Sequence, residues 1–480
     1  MGERANFTTS DSVKHLWTHL GLPEYALNNL QLEGGDGITV PSSFKIGHLA
    51  QSCIALSGLL AALIHSHRNA IAVPRVVVDR QHAVTEFQSE RLYLLNDEKS
   101  QAPGGTIGGL HQTSDGYIRC HDGFPNHHDS ALRLLRCSST TTKAEFAKEV
   151  RRWKSLELET AAVNNGAVIF AMRGYADWDP TPQAQAIQRF PISIIKVADC
   201  APGLPLRFTK GEAKCLRGLR VLEMSRVIAA PVAGKTLAAH GADVLWITSP
   251  NLPALPGLDK DVGRGKRTAQ LDLNNADDLH QLRQLLQEAD VFLQSYRPGS
   301  LAAKGLSINE LLKDRKGKPL ICASLTAWGT EGPWAGRRGF DSIVQTASGM
   351  NVSEAEHRGQ GEAARVMPCQ ALDHGAGYFL ASGIMTALYR QATEGGCYQV
   401  NVSLAGVMRY LRSFGQYEGD SGFACKAYHN FGEVPVQYTE ARDCAFGKLE
   451  SIKHSVRIED VDVGWEHMPK PLGSDKAVWL

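Results

Sequence analysis

From Leu216 onward the chain alternates short apolar runs with longer stretches of helical spacing, and this alternation restricts the fold more than any other feature. LRGLRVLEMS reads as a short buried strand. AAPVAGKTLAAHGA follows as a helix rich in small residues, closed by Gly241. ADVLWITSP is a second strand, and Leu279, Leu282, Leu285 and Leu286 give residues 274–289 helical spacing. ADVFLQSY and KPLICASLTAWG supply a third and a fourth strand. Strands alternating with helices predict an α/β fold, with a parallel sheet and right-handed crossovers. Residues 373–390 then read as a helix, and GGCYQVNVSLAGVMRYL as turn, strand and helix.

The first 210 residues have a different texture. GHLAQSCIALSGLLAALIHS is helix-like and PRVVVDRQHAVTEF follows it. SDGYIRCH reads as a hairpin strand and TKAEFAKEVRRWKSLELETAAVNNGA as a helical stretch. Pro180, Pro182, Pro191, Pro202 and Pro205 then punctuate a connector up to Lys214. An internal echo links the two regions. IALSGLLAALIHS at 54–66 resembles FLASGIMTALYRQ at 379–391, with Gly58 and Gly383 lying 325 positions apart. VVVDRQHAV and QVNVSLAGV follow the two helices at similar distances. At the same offset His48 falls where Asp373 stands, so the first copy lacks the acid.

A chain of 480 residues is too long for one small core and predicts two or three domains. A net charge of +1 without basic or acidic blocks gives no reason to expect nucleic acid or an anionic membrane as partner. The longest apolar runs, such as 53–64, are too short to span a bilayer. Ten scattered cysteines, with no CxxC pair, predict neither a metal site nor a disulfide framework and fit an intracellular enzyme. MGERANFTTS lacks the regions of a signal peptide, so the cytoplasm is expected, with the mitochondrion as the other compartment.

Several stretches carry candidate chemistry. PVAGKTL contains Gly-Lys-Thr, but Ala229 stands where a phosphate loop needs its first glycine, so a nucleotide cradle is not encoded. VGRGKRTAQLDL places Arg264, Lys266 and Arg267 around two glycines, which reads as a solvated basic loop or as a phosphate clamp. QSYRPGSL follows a strand, where ligands of open α/β sheets sit, and Tyr296 is suited to pack on a flat ring. Asp373 precedes two glycines and an apolar helix. It reads as a capping carboxylate, as a catalytic one, or as both. Glycines beside it suit a close substrate approach, and helix amides favour an oxyanion.

In order and spacing, GLRVLEMSRVIAAPVAGKTLAAHGADVLWI, GRGKRTAQLDL, ADVFLQSYRPGSLAAKGL, GFDSIVQTASGM and ALDHGAGYFLASGIMTAL resemble the class III CoA-transferase family, also called CaiB/BaiF. The resemblance covers about residues 216–411. It implies a Rossmann-like large domain and a smaller α+β domain, interlocked as in the family. The first 210 residues resemble the later part of a family unit, so the chain reads as two incomplete units in tandem. The expected partition is a unit at 1–205 without the catalytic acid, a linker at 206–215, a CoA-binding catalytic domain at 216–415, and a shortened small domain with a closing segment at 416–480.

The resemblance implies transfer of coenzyme A from an acyl-CoA donor to a carboxylic acid through an aspartyl-CoA thioester. By position, Asp373 matches the nucleophile. Val227 and Ala229 match CoA contacts after the first strand, Lys266 and Arg267 the basic loop, Ser295 and Tyr296 the third-strand end, and Arg338 a basic residue before GFD. Coenzyme A and its esters are substrates, and no permanently bound cofactor or metal is implied. The assembly implied is a homodimer or a pseudo-dimer within one chain. The second reading is an α-methylacyl-CoA racemase or other acyl-CoA isomerase of the same fold, and the racemases use a Gly-His-Asp histidine. Here that stretch is Gly339-Phe340-Asp341, and phenylalanine carries no proton. A non-catalytic remnant acting as an assembly partner is the third reading, motivated by His48.

Overall fold

The structure, a computed structural model, describes residues 2–100, 105–313, 315 and 317–480. In chain order, the elements that position the site begin with α1 (Thr9–His19), β1 (Leu30–Glu33), α2 (Ile46–Asn69), β2 (Val76–Asp79), α3 (Arg80–Glu86), α4 (Pro125–Leu134) and β3 (Ile192–Ala198). They continue with β4 (Arg220–Met224), α5 (Ala229–Ala239), β5 (Asp243–Thr248), β6 (Lys266–Gln270), α6 (Ala276–Glu288), β7 (Val291–Gln294) and β8 (Ile321–Thr326). Last come α7 (Ala371–Glu394), β9 (Cys397–Ser403), α8 (Leu404–Ser413) and β10 (Val456–Ile458).

Strands β4 to β9 are mutually parallel and lie in the order β6-β5-β4-β7-β8-β9. This is the doubly wound order, 3-2-1-4-5-6 by appearance, and it reverses between β4 and β7. Residues buried on both faces explain the unbroken apolar reading of β4, β5 and β7. The seventh strand, β3, pairs antiparallel with β9. It lies inside the segment read as a proline-punctuated connector. Its neighbours Pro191 and Pro202 signal turns, and as an edge strand it leaves Ile195 50% exposed, so its pattern carries little burial signal. The helical stretch beginning at Lys143 is likewise two helices, Lys143–Val150 and Ser155–Asn164.

A second, three-stranded sheet has the order β1-β2-β10, with β1 parallel and β10 antiparallel to β2. Around β2 and β9 the two sheets repeat one another in detail. Helices α2 and α7 have 24 residues each, and their preceding residues, Lys45 and Gln370, share one backbone conformation (φ −78, ψ 58 and φ −78, ψ 62). Gly58 lies under Val76 and Val456, and Gly383 under Val400 and Ile192. Asp79 caps α3 by accepting from the His82 amide, and Ser403 caps α8 by accepting from the Gly406 amide. Each sheet takes its antiparallel strand from the other half of the chain. Residues before 205 lend β3 to the large sheet, and residues after 416 lend β10 to the small one. A partition into 1–205, 206–215, 216–415 and 416–480 therefore follows the chain but not the packing.

Helix α2 is longer than the run at 53–64 that announced it. It is long and apolar enough to cross a membrane, with a mean hydropathy of 1.6 over an 18-residue window, yet that window is wholly buried in the protein. It lies in one apolar core with α5 and α7. The approach is close where glycine allows it. A Cβ on Gly375 would lie 3.3 Å from Leu49 of α2 and 3.0 Å from Val407 of α8. A Cβ on Gly377 would lie 2.6 Å from the carbonyl oxygen of Ala229 and 2.6 Å from Val232, both in α5.

A backbone oxygen cannot rotate out of the way. Gly377→Ala is therefore expected to destabilise the protein by about 1–3 kcal/mol in urea denaturation. Gly37→Ala, with nothing near its added carbon and no left-handed φ, should stay within about 0.5 kcal/mol of the parent.

Candidate active site

The sheet order reverses between β4 and β7, and a crevice at the carboxyl ends of those strands is the expected ligand position. A cavity of about 340 Å³ lies there. The loop after β4 contributes Arg226 and Val227, and the first turn of α5 contributes Ala229 and Ala230. The residues just beyond β7 supply Ser295, Tyr296 and Arg297, the last residue of β8 supplies Thr326, and the loop after it supplies Ala327, Arg337, Arg338 and Phe340. Asp373 enters from the first turn of α7, and Phe124, Asn126 and His127 close the cavity from the N-terminal half of the chain. Of the sequence-inferred residues, Val227, Ala229, Ser295, Tyr296, Arg338 and Asp373 are thus brought together.

Lys266 and Arg267 are not. Lys266 is fully buried on β6, where its Nζ donates to Glu223 Oε1 at 2.8 Å and to the Pro231 carbonyl at 2.8 Å. Arg267 forks onto Asp243 at 2.8–3.0 Å and donates to the Val478 carbonyl. Arg264 is fully buried against Asp261, Ser451 and Ile452. The basic run is neither a solvated loop nor a clamp. It forms ion pairs that tie β6 to the rest of the sheet, because buried cations need partners. Lys235 of the Gly-Lys-Thr triplet is paired in the same way with Asp261 at 2.9 Å, and Gly234 lets α5 pass over Glu223.

Two features of the Asp373 environment differ from the sequence reading. Gly375 and Gly377 face neighbouring helices rather than the cavity, and Gly377 presses α7 onto the first turn of α5. The leading amides of α7 are also already used. Leu372 and Asp373 donate to Asp341 Oδ2 at 2.8 and 3.1 Å. The open amides are instead those of Ala229 and Ala230, which enter no hydrogen bond among the described residues. They are held there by Val227, whose left-handed φ of 62 is strained for a β-branched residue.

Burial raises the Asp373 carboxyl well above the usual aspartate range, and the charges of Asp341 and Glu90 push it the same way. Burial also raises Asp341 to about 6, against hydrogen bonds from Gln345 and from the two α7 amides. His374 turns away from the cavity. Its Nε2 meets Glu90 at 2.9 Å and its ring stacks on Phe87 at 5.3 Å. In the first copy, His48 is sealed by Ser12, whose Oγ lies 2.7 Å from its Nε2, and by the ring of Phe414 at 4.3 Å.

A sheet of this order brings one partly buried carboxylate, the open amides of Ala229 and Ala230 and four arginines together at its reversal point, where open α/β sheets bind ligands. Residues 216–423 match the family model for CoA-transferase family III. An acyl-CoA transferase of Gibberella moniliformis is 30% identical over 263 residues, 54% of this chain and 46% of that protein. A CaiB/baiF CoA-transferase family protein of Caenorhabditis elegans is 33% identical over 237 residues, covering 47% and 65%. A succinyl-CoA:glutarate CoA-transferase of Homo sapiens is 28% identical over 195 residues, covering 38% and 43%. The chain spans about half the length of the curated relatives it matches.

If Lys266 is structural, Lys266→Met leaves Glu223 buried and unpaired. It should cost about 3–5 kcal/mol in denaturant unfolding.

Proposed function

We propose that the chain is a CoA-transferase, moving coenzyme A from an acyl-CoA donor to a carboxylic acid with Asp373 as the covalent carrier. The observation that carries this reading is the shared cavity of the Asp373 carboxylate and the amides of Ala229 and Ala230, which are unpartnered among the described residues. A carboxylate oxygen attacks the donor thioester carbon. The oxyanion that forms is stabilised by those amides and by the positive end of α5. The C–S bond then breaks to give a mixed anhydride and a CoA thiolate. The thiolate attacks the aspartyl carbonyl, the donor acid leaves, and an aspartyl-CoA thioester remains. The acceptor carboxylate repeats the sequence in reverse and regenerates Asp373. Atoms balance without any external proton. Dividing the exchange into steps between groups of similar energy is the advantage of covalent catalysis.

Desolvation serves both ends of this scheme. It raises the carboxylate's energy, hence its reactivity, and it keeps water from the anhydrides. Racemisation needs a second proton carrier facing the acid. Phe340 fills the loop position of the racemase histidine, and Glu90 holds His374 outside the cavity. The remnant reading fits His48 in the first copy, not Asp373 in the second.

Asp373→Asn should lower CoA exchange between succinyl-CoA and a panel of acids by about a thousandfold or more. Hydroxylamine trapping during turnover should mark the peptide bearing residue 373. Modification elsewhere, or none, rejects the scheme. The nucleophile is the anion and its pKa is raised. Activity should therefore be present above that pKa and fall as pH drops through a value higher than the roughly 4 of an ordinary aspartate. Because both walls of the cavity come from one polypeptide, the active species is expected to sediment with the mass of a single chain. Activity confined to a dimer would refute a pseudo-dimer complete in one chain.

A further inference from the structure

Two thiols meet where the N-terminal half lends its strand to the large sheet. Cys200 stands two residues beyond β3, and Cys397 opens β9. Both are free, and they are 197 positions apart in the chain. Their sulfur atoms nevertheless lie 3.2 Å from one another, closer than the sum of two sulfur radii.

The backbone builds this approach from both sides. β3 and β9 pair antiparallel, with Ala198 opposite Cys397 and a register shift beside it. The turn between α7 and β9 is Gly395-Gly396, and both residues have left-handed φ values, 70 and 106. A Cβ on Gly395 would overlap the Cys200 carbonyl oxygen, and one on Gly396 would overlap the Lys196 side chain. The Gly203 amide donates to the Gln391 carbonyl at 2.9 Å. Residues 198–203 are thereby laid across the end of α7, with one sulfur on each side of the seam.

The two sulfurs differ in access. Cys397 is 1% exposed, whereas Cys200 is half-buried. Burial raises the Cys397 thiol to about 11, and the Cys200 sulfur acts in the same direction. The Arg315 guanidinium opposes that rise, and it is fixed in place by donating to the Ala289 and Pro319 carbonyls at 2.8 and 2.7 Å. An accessible thiol beside a sheltered one is the arrangement of an attacking and a resolving cysteine.

We propose that Cys200 and Cys397 form a reversible disulfide that joins the N-terminal half to the α/β half. The oxidant is a small-molecule disulfide of the glutathione kind. The Cys200 thiolate attacks one of its sulfurs, giving a mixed disulfide and releasing one small thiol. The Cys397 sulfur then attacks the Cys200 sulfur, and the second small thiol leaves. Two protein thiols are oxidised, one disulfide is reduced to two thiols, and the two protons lost by the protein leave on those thiols. A bond across 197 positions restricts the unfolded chain, so the oxidised protein is the more stable form. The pair lies at the amino end of β9, whereas Leu404, just past its carboxyl end, lines the cavity. The disulfide is therefore independent of which ligand the cavity takes.

The test uses the full chain in glutathione buffers of reducing and of oxidising ratio. Remaining thiols are alkylated, and peptides are mapped by mass without reduction. The expected result is a linked pair of peptides bearing residues 200 and 397 in the oxidising buffer alone, released by dithiothreitol. The Tm of the oxidised chain should exceed that of the reduced chain by about 3–8 °C, and this difference should vanish in Cys200→Ser. Cys397→Ser should retain glutathione on Cys200, because nothing is left to displace it. Absence of the linked peptides in the oxidising buffer would overturn the proposal. So would glutathione retained on Cys200 of the parent chain, or a link made instead through Cys322, whose thiol neighbours Cys397. If Cys397→Ser, altered at a buried position, fails to fold, the peptide map of the parent and the Tm of Cys200→Ser still decide.

Discussion

The structure depends on how closely three helices approach one another. Helix α7 carries the acid at its first turn, and the chemistry proposed for it needs the turn of α5, whose first two amides are unpaired among the described residues, to lie beside it. Gly377 permits this contact, and Gly375 does the same toward α2 and α8. Any side chain at Gly377 would part the carboxylate from the amides. The need is not for glycine's unusual dihedrals, since neither residue has a positive φ. It is for the missing methyl group, and hence for a distance between backbones.

Two acids share the work at this point, in different ways. Asp341 caps α7 and is surrounded by donors, whereas Asp373 has no hydrogen bond to its carboxylate among the described residues and is left to burial and to like charges. The arrangement separates holding the helix, by Asp341, from the reacting role proposed for Asp373. A carboxylate bound by amides would be stable and inert. One deprived of donors is costly, and that cost is met by the packing around it.

Much of the architecture was legible because apolar spacing reports burial. The alternation from Leu216 onward marks β4, β5, β7 and β8 in order but misses β6, whose charged KRTAQ reads as a basic loop, and the echo between 54–66 and 379–391 corresponds to helices with matching ends and matching glycine contacts. Strand β3 escaped because it is an edge strand flanked by prolines. Lys266 and Arg267 were misplaced because a run of charges looks alike whether it meets solvent, a phosphate or buried carboxylates, and Glu223 and Asp243 lie more than twenty residues away. Phe124, His127 and Glu90 reach the site from over two hundred residues upstream, through packing that no local spacing encodes. Arg226 and Arg297 adjoin inferred contacts and could have been named from the rule that ligands gather beyond strand ends.

The exchange of β3 and β10 has a consequence for how the chain is made. During synthesis the N-terminal sheet cannot close until residues 456–458 emerge, and α2, though it can meet α1, α3 and β2 early, lacks its long contact with α7 until that helix has been translated. For most of translation a 24-residue apolar helix, fit by composition for a lipid environment, is without its final cover. The nascent polypeptide is therefore a natural client for chaperones and for mistargeting, until its last strand arrives to bury what its first hundred residues expose.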